Sequence, residues 1–262
     1  LYDKAHLIKS GEYHIKANTT FPELLEQLTT GKVIQYSFTI VEGFTSQQLI
    51  NSIAADKRLV KMLTKENLAD VIVALELPAS HGEGEFLPET YFFTAGTTDR
   101  QVLQRAHKMM TSTLESAWNN KAENLPYKTS YDALIMASII EKETGIAEER
   151  AEIAGVFVRR LKKGMRLQTD PTVIYGMGAQ YQGNIRRKDL RRDTPYNTYT
   201  RYGLPPSPIA LPSKESIEAA LHPAEGKSLY FVATGQDGRH VFSNTLVDHN
   251  KAVRKYQLKK KN

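Results

Sequence analysis

The stretch ALIMASIIEKETG (Ala133–Gly145) decides the fold of this 262-residue chain. Apart from Ser138, its first eight residues are apolar, so a helix built from them is apolar on every side. Such a helix lies inside a protein or a membrane, and this run is far shorter than the ~20 residues of a membrane span. We therefore expect it to lie in the core of a globular domain.

The last turn of this predicted helix carries two acidic residues, Glu141 and Glu143. The partial negative charge of a helix C-terminus and burial both raise the pKa of a carboxyl group in such a place. A carboxylic acid that stays protonated near neutral pH is what general-acid cleavage of a glycosidic bond requires. The two glutamates point to opposite sides, and each could instead be solvated or paired with Lys142 or Arg150. The pattern alone leaves these interpretations open.

Capping and periodicity signals predict further elements on both sides of this helix. Thr129 with Asp132 forms a capping box at its start, and Gly145 is placed to end it in a left-handed turn. Helices are expected over about 21–28, 45–54, 59–77, 99–118, 147–162 and 214–221, with shorter ones beginning at Asp170 and after Thr245, and strands over 12–15, 33–41, 229–233 and 240–242. This mixture of helices and strands indicates an α+β fold.

The composition excludes several classes of function. The chain has no cysteine, which rules out disulfides, a thiol nucleophile and cysteine-bound zinc. The net charge is +6, but much of the excess lies within 186–192 and in the tail at 259–261, and no recognition motif accompanies it, so we expect no nucleic-acid partner. The histidines lack metalloprotease spacing and the glycines near Gly176 complete no dinucleotide fingerprint. We therefore expect neither a metal nor a cofactor.

The segment Pro195–Thr200 alternates tyrosine rings with short hydrogen-bonding side chains. Sugars present apolar C–H patches and hydroxyl groups, and ligand pockets combine the same two kinds of contact. The segment could equally be an irregular loop whose tyrosine hydroxyls bind the backbone.

Several long motifs, in the same order along the chain, closely resemble those of the YceG-like family of endolytic murein transglycosylases. The motifs are Ala137–Thr144, Arg166–Gly176, Tyr196–Tyr199 followed by Gly203–Pro206, His222–Ala224 and Tyr230–Ala233. The resemblance is dense from about residue 86 to residue 250 and looser before it.

The resemblance implies a catalytic acid and a domain organisation. The family's acid is the Glu of a Glu-Ser or Glu-Thr pair that ends a buried helix, as in lysozyme-like transglycosylases, and this selects Glu143, beside Thr144, over Glu141. It also implies a small LysM-like α/β subdomain over residues 1–55, which would bind peptidoglycan. A larger, helix-rich catalytic domain would follow over residues 56–262.

The substrate implied by the resemblance is the peptidoglycan glycan strand, cut between N-acetylmuramic acid and N-acetylglucosamine. The candidate groove residues are Gln168, Thr169, Asp170, Tyr196, Asn197, Thr198, Tyr199 and His240. The family further implies a single-pass anchor in the inner membrane upstream of this sequence, with the present chain on the periplasmic side, and work beside the cell-wall synthases on nascent strands.

Two other functions remain compatible with the sequence. The chain could be a muramidase-type hydrolase in which Asp170 is the second carboxylate that hydrolysis normally requires. It could also be a peptidoglycan-binding module without catalytic activity.

Overall fold

The helix α5 (Ser130–Glu143) lies at the centre of one of two apolar cores in the computed structural model, which describes residues 6–63, 67–77, 82–235 and 237–258. Every residue of α5 from Ala133 to Ile140 is buried, which confirms that this helix is internal. The Thr129 side chain accepts a hydrogen bond from the backbone N–H of Asp132, as the predicted capping box requires.

The described residues form ten α-helices and four short strands. The helices are α1 (Phe21–Thr30), α2 (Ser46–Ala55), α3 (Leu68–Ala74), α4 (Asp99–Asn119), α5 (Ser130–Glu143), α6 (Arg150–Lys162), α7 (Asp170–Met177), α8 (Arg187–Arg191), α9 (Lys214–Leu221) and α10 (Leu246–Val253). The strands are β1 (Tyr36–Thr39), β2 (Thr90–Phe93), β3 (Tyr230–Ala233) and β4 (His240–Ser243). This is the α+β composition that the sequence predicts.

The first core, which we call the N-terminal core, is built on the antiparallel pair β1–β2, in which Tyr36 lies opposite Phe93. Apolar side chains of α2, α3 and the first half of α4 pack on this sheet, among them Leu49, Val71 and Leu103. The helix starts that the sequence places at α2 and α4 carry complete capping boxes.

The second core, which we call the helical core, surrounds α5. Helix α9 packs most extensively against α5, and α4, α6 and α7 also contact it. The hairpin β3–β4 pairs Tyr230 with Ser243 and lies against α6. The ring of Phe157 on α6 meets the edge of Phe231 on β3 at a centroid distance of 5.6 Å. The C-terminal end of α5, with Glu143, lines the same cleft as residues of this hairpin.

The helix predicted over 59–77 is wrong in its first part. Residues 59–63 are not helical, and residues 64–66 lie outside the described part of the chain. The predicted helix is confirmed only over α3. The Asp99 carboxylate accepts hydrogen bonds from the backbone N–H groups of Met62 and Leu63 at 3.0 and 3.3 Å. This distant partner satisfies donors that a helix would use, so tertiary structure overrides local propensity.

Two smaller predictions are also wrong. Residues 12–15 form no strand, because only one backbone bond, from the Ile34 N–H to the Glu12 carbonyl at 2.7 Å, reaches a neighbouring segment. Helix α5 ends in an extended residue, Thr144, with φ −145° and ψ 136°, rather than in a left-handed turn at Gly145. The Thr144 hydroxyl instead accepts a hydrogen bond from the Ile146 N–H at 3.0 Å.

The predicted domain boundary after residue 55 falls inside the N-terminal core, because α2 shares that core with side chains between residues 59 and 106 and with Leu211. Among the described residues, none before Phe38 belongs to the buried core. Residues 6–35 therefore contribute no buried side chain to either core. The division into 1–55 and 56–262 remains a prediction.

None of the helices in the described ranges combines the length and the apolar character that crossing a membrane requires. The lysines at 259–261, to which part of the positive charge was attributed, lie outside the described residues.

Candidate active site

A cleft of about 490 Å³ opens at the C-terminal end of α5. Its walls come from the end of α5, the residues around the start of α7, the β3–β4 hairpin and α10. Five residues predicted for the site line this cleft: Glu143, Gln168, Asp170, Tyr199 and His240. The fold thus brings together side chains from four separate parts of the chain.

Glu143 is the last residue of α5 and is half-buried in the wall of the cleft. Burial raises the pKa of its carboxyl group to about 7. A hydrogen bond from the Thr169 hydroxyl to Oε1 acts in the opposite direction, the nearby charge of Asp170 raises the pKa further, and the charge of Arg160, with that of His240 when its ring is protonated, lowers it. A carboxyl group with this pKa exists in both protonation states near neutral pH, so it can donate a proton and accept one.

The backbone of Thr169 is held in place by two other buried threonines. The Thr198 hydroxyl accepts a hydrogen bond from the Thr169 N–H at 3.1 Å, and the Thr172 hydroxyl donates to the Thr169 carbonyl at 2.8 Å. Just before them, Gln168 adopts a left-handed conformation with φ 52°. Such conformations in residues other than glycine concentrate at functional sites, and this one directs the chain past Glu143.

Glu141, the other acidic residue in the last turn of α5, is used differently. Its Oε2 atom accepts hydrogen bonds from the hydroxyl and backbone N–H of Ser213, at 2.5 and 2.9 Å, and from the Ser216 hydroxyl at 2.7 Å. Because Ser213 caps α9, Glu141 ties α5 to the start of that helix. The structure therefore separates two glutamates that the sequence pattern leaves equivalent: only Glu143 lines the cleft.

Asp170 lines the cleft from the first position of α7. The Tyr199 hydroxyl donates a hydrogen bond to its Oδ1 at 2.5 Å. Burial raises the pKa of Tyr199 well above its usual range, so the phenol keeps its proton and remains a donor. Within the described ranges, no three His, Asp or Glu side chains are grouped so that they could hold a metal ion.

A stack of flat groups, formed by Arg160, Tyr230 and His249, also lines the cleft. Arg160 donates to the carbonyl groups of Leu229 and Leu167 at 2.6 and 2.7 Å, which fixes its guanidinium. The guanidinium lies 5.1 Å from the ring centroid of Tyr230, and that ring stacks on His249 at 5.3 Å. The stack provides a rigid surface of the kind that packs against the C–H face of a sugar ring.

Four predicted site residues do not line the cleft: Thr169, Tyr196, Asn197 and Thr198. Thr169 bonds to Glu143, as described above. The Tyr196 hydroxyl lies 2.7 Å from the hydroxyl of the buried Ser207. The Asn197 amide is buried and donates to the Arg192 carbonyl at 2.7 Å. Thr198 contacts Thr169 as described above. These residues hold the loop that carries Tyr199.

The residues that the sequence did not assign to the site include Arg160 and Tyr230, which line the cleft, and Glu149, which binds His240. Tyr230 lies in a motif that carries the family resemblance, so a signal for it was present. Glu149 binds His240, a residue 91 positions away, and nothing in its local sequence indicates this contact. Arg160 lies on the C-terminal half of α6, where a basic residue is ordinary.

The chain matches the YceG-like family over residues 1–255. A protein of Bacillus subtilis (strain 168) named endolytic murein transglycosylase is 34% identical over 273 residues, which cover 97% of this chain and 75% of that protein. A protein of the same name from Streptococcus pneumoniae (strain D39) is 28% identical over 97% of this chain, which spans about half, 52%, of that protein.

A solved structure is also similar to this chain. The crystal structure of a putative yceG-like protein from Listeria monocytogenes matches with a TM-score of 0.67 and 33% sequence identity. The match covers 95% of this chain and 87% of that one. The similarity in sequence and in fold therefore extends over nearly the whole chain.

Proposed function

The chain belongs to the YceG-like family, and we propose that it works as an endolytic murein transglycosylase, the name that its Bacillus and Streptococcus relatives carry. Its substrate is the glycan strand of peptidoglycan, cut between N-acetylmuramic acid and N-acetylglucosamine. The observation that carries the proposal is the carboxyl group of Glu143, whose pKa burial raises to about 7 in the wall of a cleft.

Glu143 acts first as the general acid. In its protonated form it gives a proton to the oxygen that bridges the two sugars, and the bond between that oxygen and C1 of the muramyl residue breaks. Thr169 donates to Oε1 of Glu143, so Oε2 is the oxygen that can carry the proton towards the glycan.

The same carboxylate then acts as the base. The C6 hydroxyl of the muramyl residue attacks C1, an O6–C1 bond forms, and the hydroxyl proton returns to Glu143. The product ends in a 1,6-anhydro ring, and no water is consumed. Because the nucleophile is internal, one carboxyl group suffices, whereas a hydrolytic glycosidase normally uses two, placed about 5 to 9.5 Å apart.

The other predicted site residues have two kinds of role. Residues that line the cleft contact the glycan: Gln168, Asp170, Tyr199 and His240. Residues behind the cleft orient Glu143 or hold the loop: Thr169, Tyr196, Asn197 and Thr198.

A hydrolase that uses Asp170 as its second carboxylate is the main rival, because Asp170 and Glu143 line the same cleft. Digestion of purified sacculi in water carrying the heavy oxygen isotope distinguishes the two reactions. A transglycosylase gives anhydro ends without the isotope, as we expect. A hydrolase gives reducing ends that contain it, and that result would refute our proposal.

A binding module without catalytic activity is the second rival. It predicts that the wild-type chain binds glycan strands but releases no fragments from sacculi. Release of anhydro fragments by the wild-type chain, and not by a Glu143→Gln variant that still binds glycan, excludes it.

Three finer assignments rest on the family resemblance alone. The LysM-like unit over residues 1–55 binds peptidoglycan and precedes the catalytic domain over residues 56–262. The chain acts on the periplasmic side of the inner membrane, joined to a single-pass anchor. It trims or releases new strands beside the cell-wall synthases. Recovery of a synthase with the chain after cross-linking in cells tests the last assignment.

A further inference from the structure

Glu149 holds His240 through both oxygens of its carboxylate. The backbone N–H of His240 donates to Oε1 at 3.0 Å, and the ring Nδ1 lies 2.8 Å from Oε2. The two side chains are only 11% and 9% exposed, so little water competes for these bonds. Residues from two distant parts of the chain are thus joined by a two-point contact, which fixes both the position and the rotation of the imidazole.

The contact also fixes where the imidazole carries its proton. A carboxylate has only acceptor atoms, so Nδ1 must donate to Oε2 and therefore carries hydrogen. In the neutral ring the other nitrogen, Nε2, is then an acceptor. The edge contact with the Phe231 ring, at 5.4 Å and 87°, holds the imidazole from a second side. His240 itself lines the cleft beside Glu143.

The ordinary alternative is that Glu149 only stabilises the start of α6, since it occupies the N-cap position of that helix. Its side chain, however, makes no capping hydrogen bond to α6. Glu148, the preceding residue, is exposed and also lies at this helix start. The Glu149 carboxylate instead bonds to His240 on the hairpin β3–β4. A role in stabilising α6 alone does not explain that contact.

We propose that Glu149 is a positioning residue that keeps His240 in the Nδ1–H form, so that Nε2 accepts a hydrogen bond from a hydroxyl or amide N–H of the glycan bound beside Glu143. The proposal rests on the proposed function, because it assumes that the cleft binds a glycan. It assigns to Glu149 a role that acts only through His240.

The variant Glu149→Gln tests this assignment with little change in shape. A carboxamide offers one acceptor and one donor. If its oxygen keeps the backbone N–H of His240, its NH₂ group faces Nδ1, which must then lose its hydrogen. The proton moves to Nε2, which becomes a donor towards the glycan. A histidine held in the wrong tautomer loses its function although its geometry is intact.

Nitrogen NMR of the histidine rings in the free protein reads the tautomer directly, with the His240 signals identified by their loss in His240→Gln. We expect Nδ1–H in the wild type and in the control Glu148→Gln, and Nε2–H in Glu149→Gln. We also expect kcat/KM for glycan cleavage to fall about tenfold or more in Glu149→Gln, with activity unchanged in Glu148→Gln.

Affinity for a peptidoglycan tetrasaccharide, measured in the Glu143→Gln background, separates this proposal from the proposed function. We expect the added Glu149→Gln change to weaken binding by about tenfold. Unchanged affinity despite a shifted tautomer, or an Nε2–H ring in the wild type, would overturn the role of Glu149. Absence of cleavage by the wild type, with the binding difference intact, would instead refute the catalytic proposal alone.

Discussion

The hydroxyl of Thr169 donates a hydrogen bond to Oε1 of Glu143, from the residue just before α7 to the last residue of α5. Burial raises the pKa of Glu143, and this bond is the strongest influence that lowers it. The two opposing effects together place the pKa at about 7. The position of the loop before α7 thus helps to set the pKa of Glu143, on which the proposed reaction depends.

Removal of this hydroxyl should move the pH dependence of the reaction upwards. In Thr169→Val the carboxylate form of Glu143 loses a hydrogen bond that stabilises it, so the pKa of Glu143 rises. The general acid then stays protonated to higher pH. We expect the alkaline limb of the kcat/KM profile to shift to higher pH, measured on purified glycan strands.

The matched control is Thr111→Val, on the exposed face of α4, which should leave the profile where it is in the wild type. An alkaline limb that stays in place, or moves to lower pH, in Thr169→Val would show that this hydroxyl does not set the acidity of the catalytic group.

Because the pKa of Glu143 is raised, the free energy of unfolding should decrease as pH rises. The pKa is about 7 in the folded chain and ordinarily 4.5, so the folded state holds this proton more tightly than the unfolded state. Its contribution to the free energy of unfolding is fully present below pH 4.5 and is lost as pH rises to about 7. Glu143→Gln lacks this loss, so at pH 8 it should be more stable than the wild type by on the order of 3 kcal/mol.

Urea denaturation at pH 4.5 and at pH 8 measures this difference. The gap in unfolding free energy between Glu143→Gln and the wild type should widen towards alkaline pH. A gap that is constant across the range, or one that widens towards acid pH, would contradict a raised pKa at this position.

Glu141→Ala should weaken the fold without abolishing the chemistry. It removes the acceptor shared by Ser213 and Ser216 at the start of α9, and buried donors left unsatisfied cost about 1–3 kcal/mol each. We expect the free energy of unfolding to fall by about 2 kcal/mol, while the turnover of the folded fraction remains close to wild type. A stable but inactive variant would show that Glu141, too, takes part in the reaction.

Asn197→Ala should likewise act on stability rather than on glycan contact. The side chain donates to the carbonyl groups of Leu190 and Arg192, and its oxygen accepts from the Tyr199 N–H at 2.8 Å. Because the residue is buried, its loss should reduce the free energy of unfolding by about 2 kcal/mol. Tetrasaccharide affinity of the folded protein, measured by calorimetry, should stay within about threefold of wild type; a selective loss of affinity in a stable variant would place Asn197 in the groove.

Much of the fold was predictable because its signals are local. The apolar run before Glu141 predicts a buried helix, and the threonines that cap α2 and α5 predict where those helices start. The predictions that are wrong concern segments whose conformation depends on contacts with residues distant in sequence. Residues 59–63 leave the helical pattern because Asp99 binds their backbone. Residues 12–15 form no strand because only one backbone–backbone hydrogen bond, from Ile34 to Glu12, joins them to another segment.

The site was predictable only in part, for the same reason. The choice of Glu143 over Glu141 came from the family resemblance, since both occupy the same turn of one helix. The structure distinguishes the two glutamates by their contacts, because the Ser213 hydroxyl donates a hydrogen bond to Glu141. The role of Glu149 could not be anticipated, because the chain must fold before His240 reaches it.

The central claim is that the Glu143 carboxyl group is the single acid and base of the reaction. Glu143→Gln and Glu141→Gln make the same chemical change two positions apart in one helix, and mass spectrometry of sacculi digested by each variant compares them directly. We predict anhydro-ended fragments from the wild type and from the folded fraction of Glu141→Gln, and none from Glu143→Gln. Anhydro-ended fragments released by a folded Glu143→Gln variant at the wild-type rate would contradict the claim.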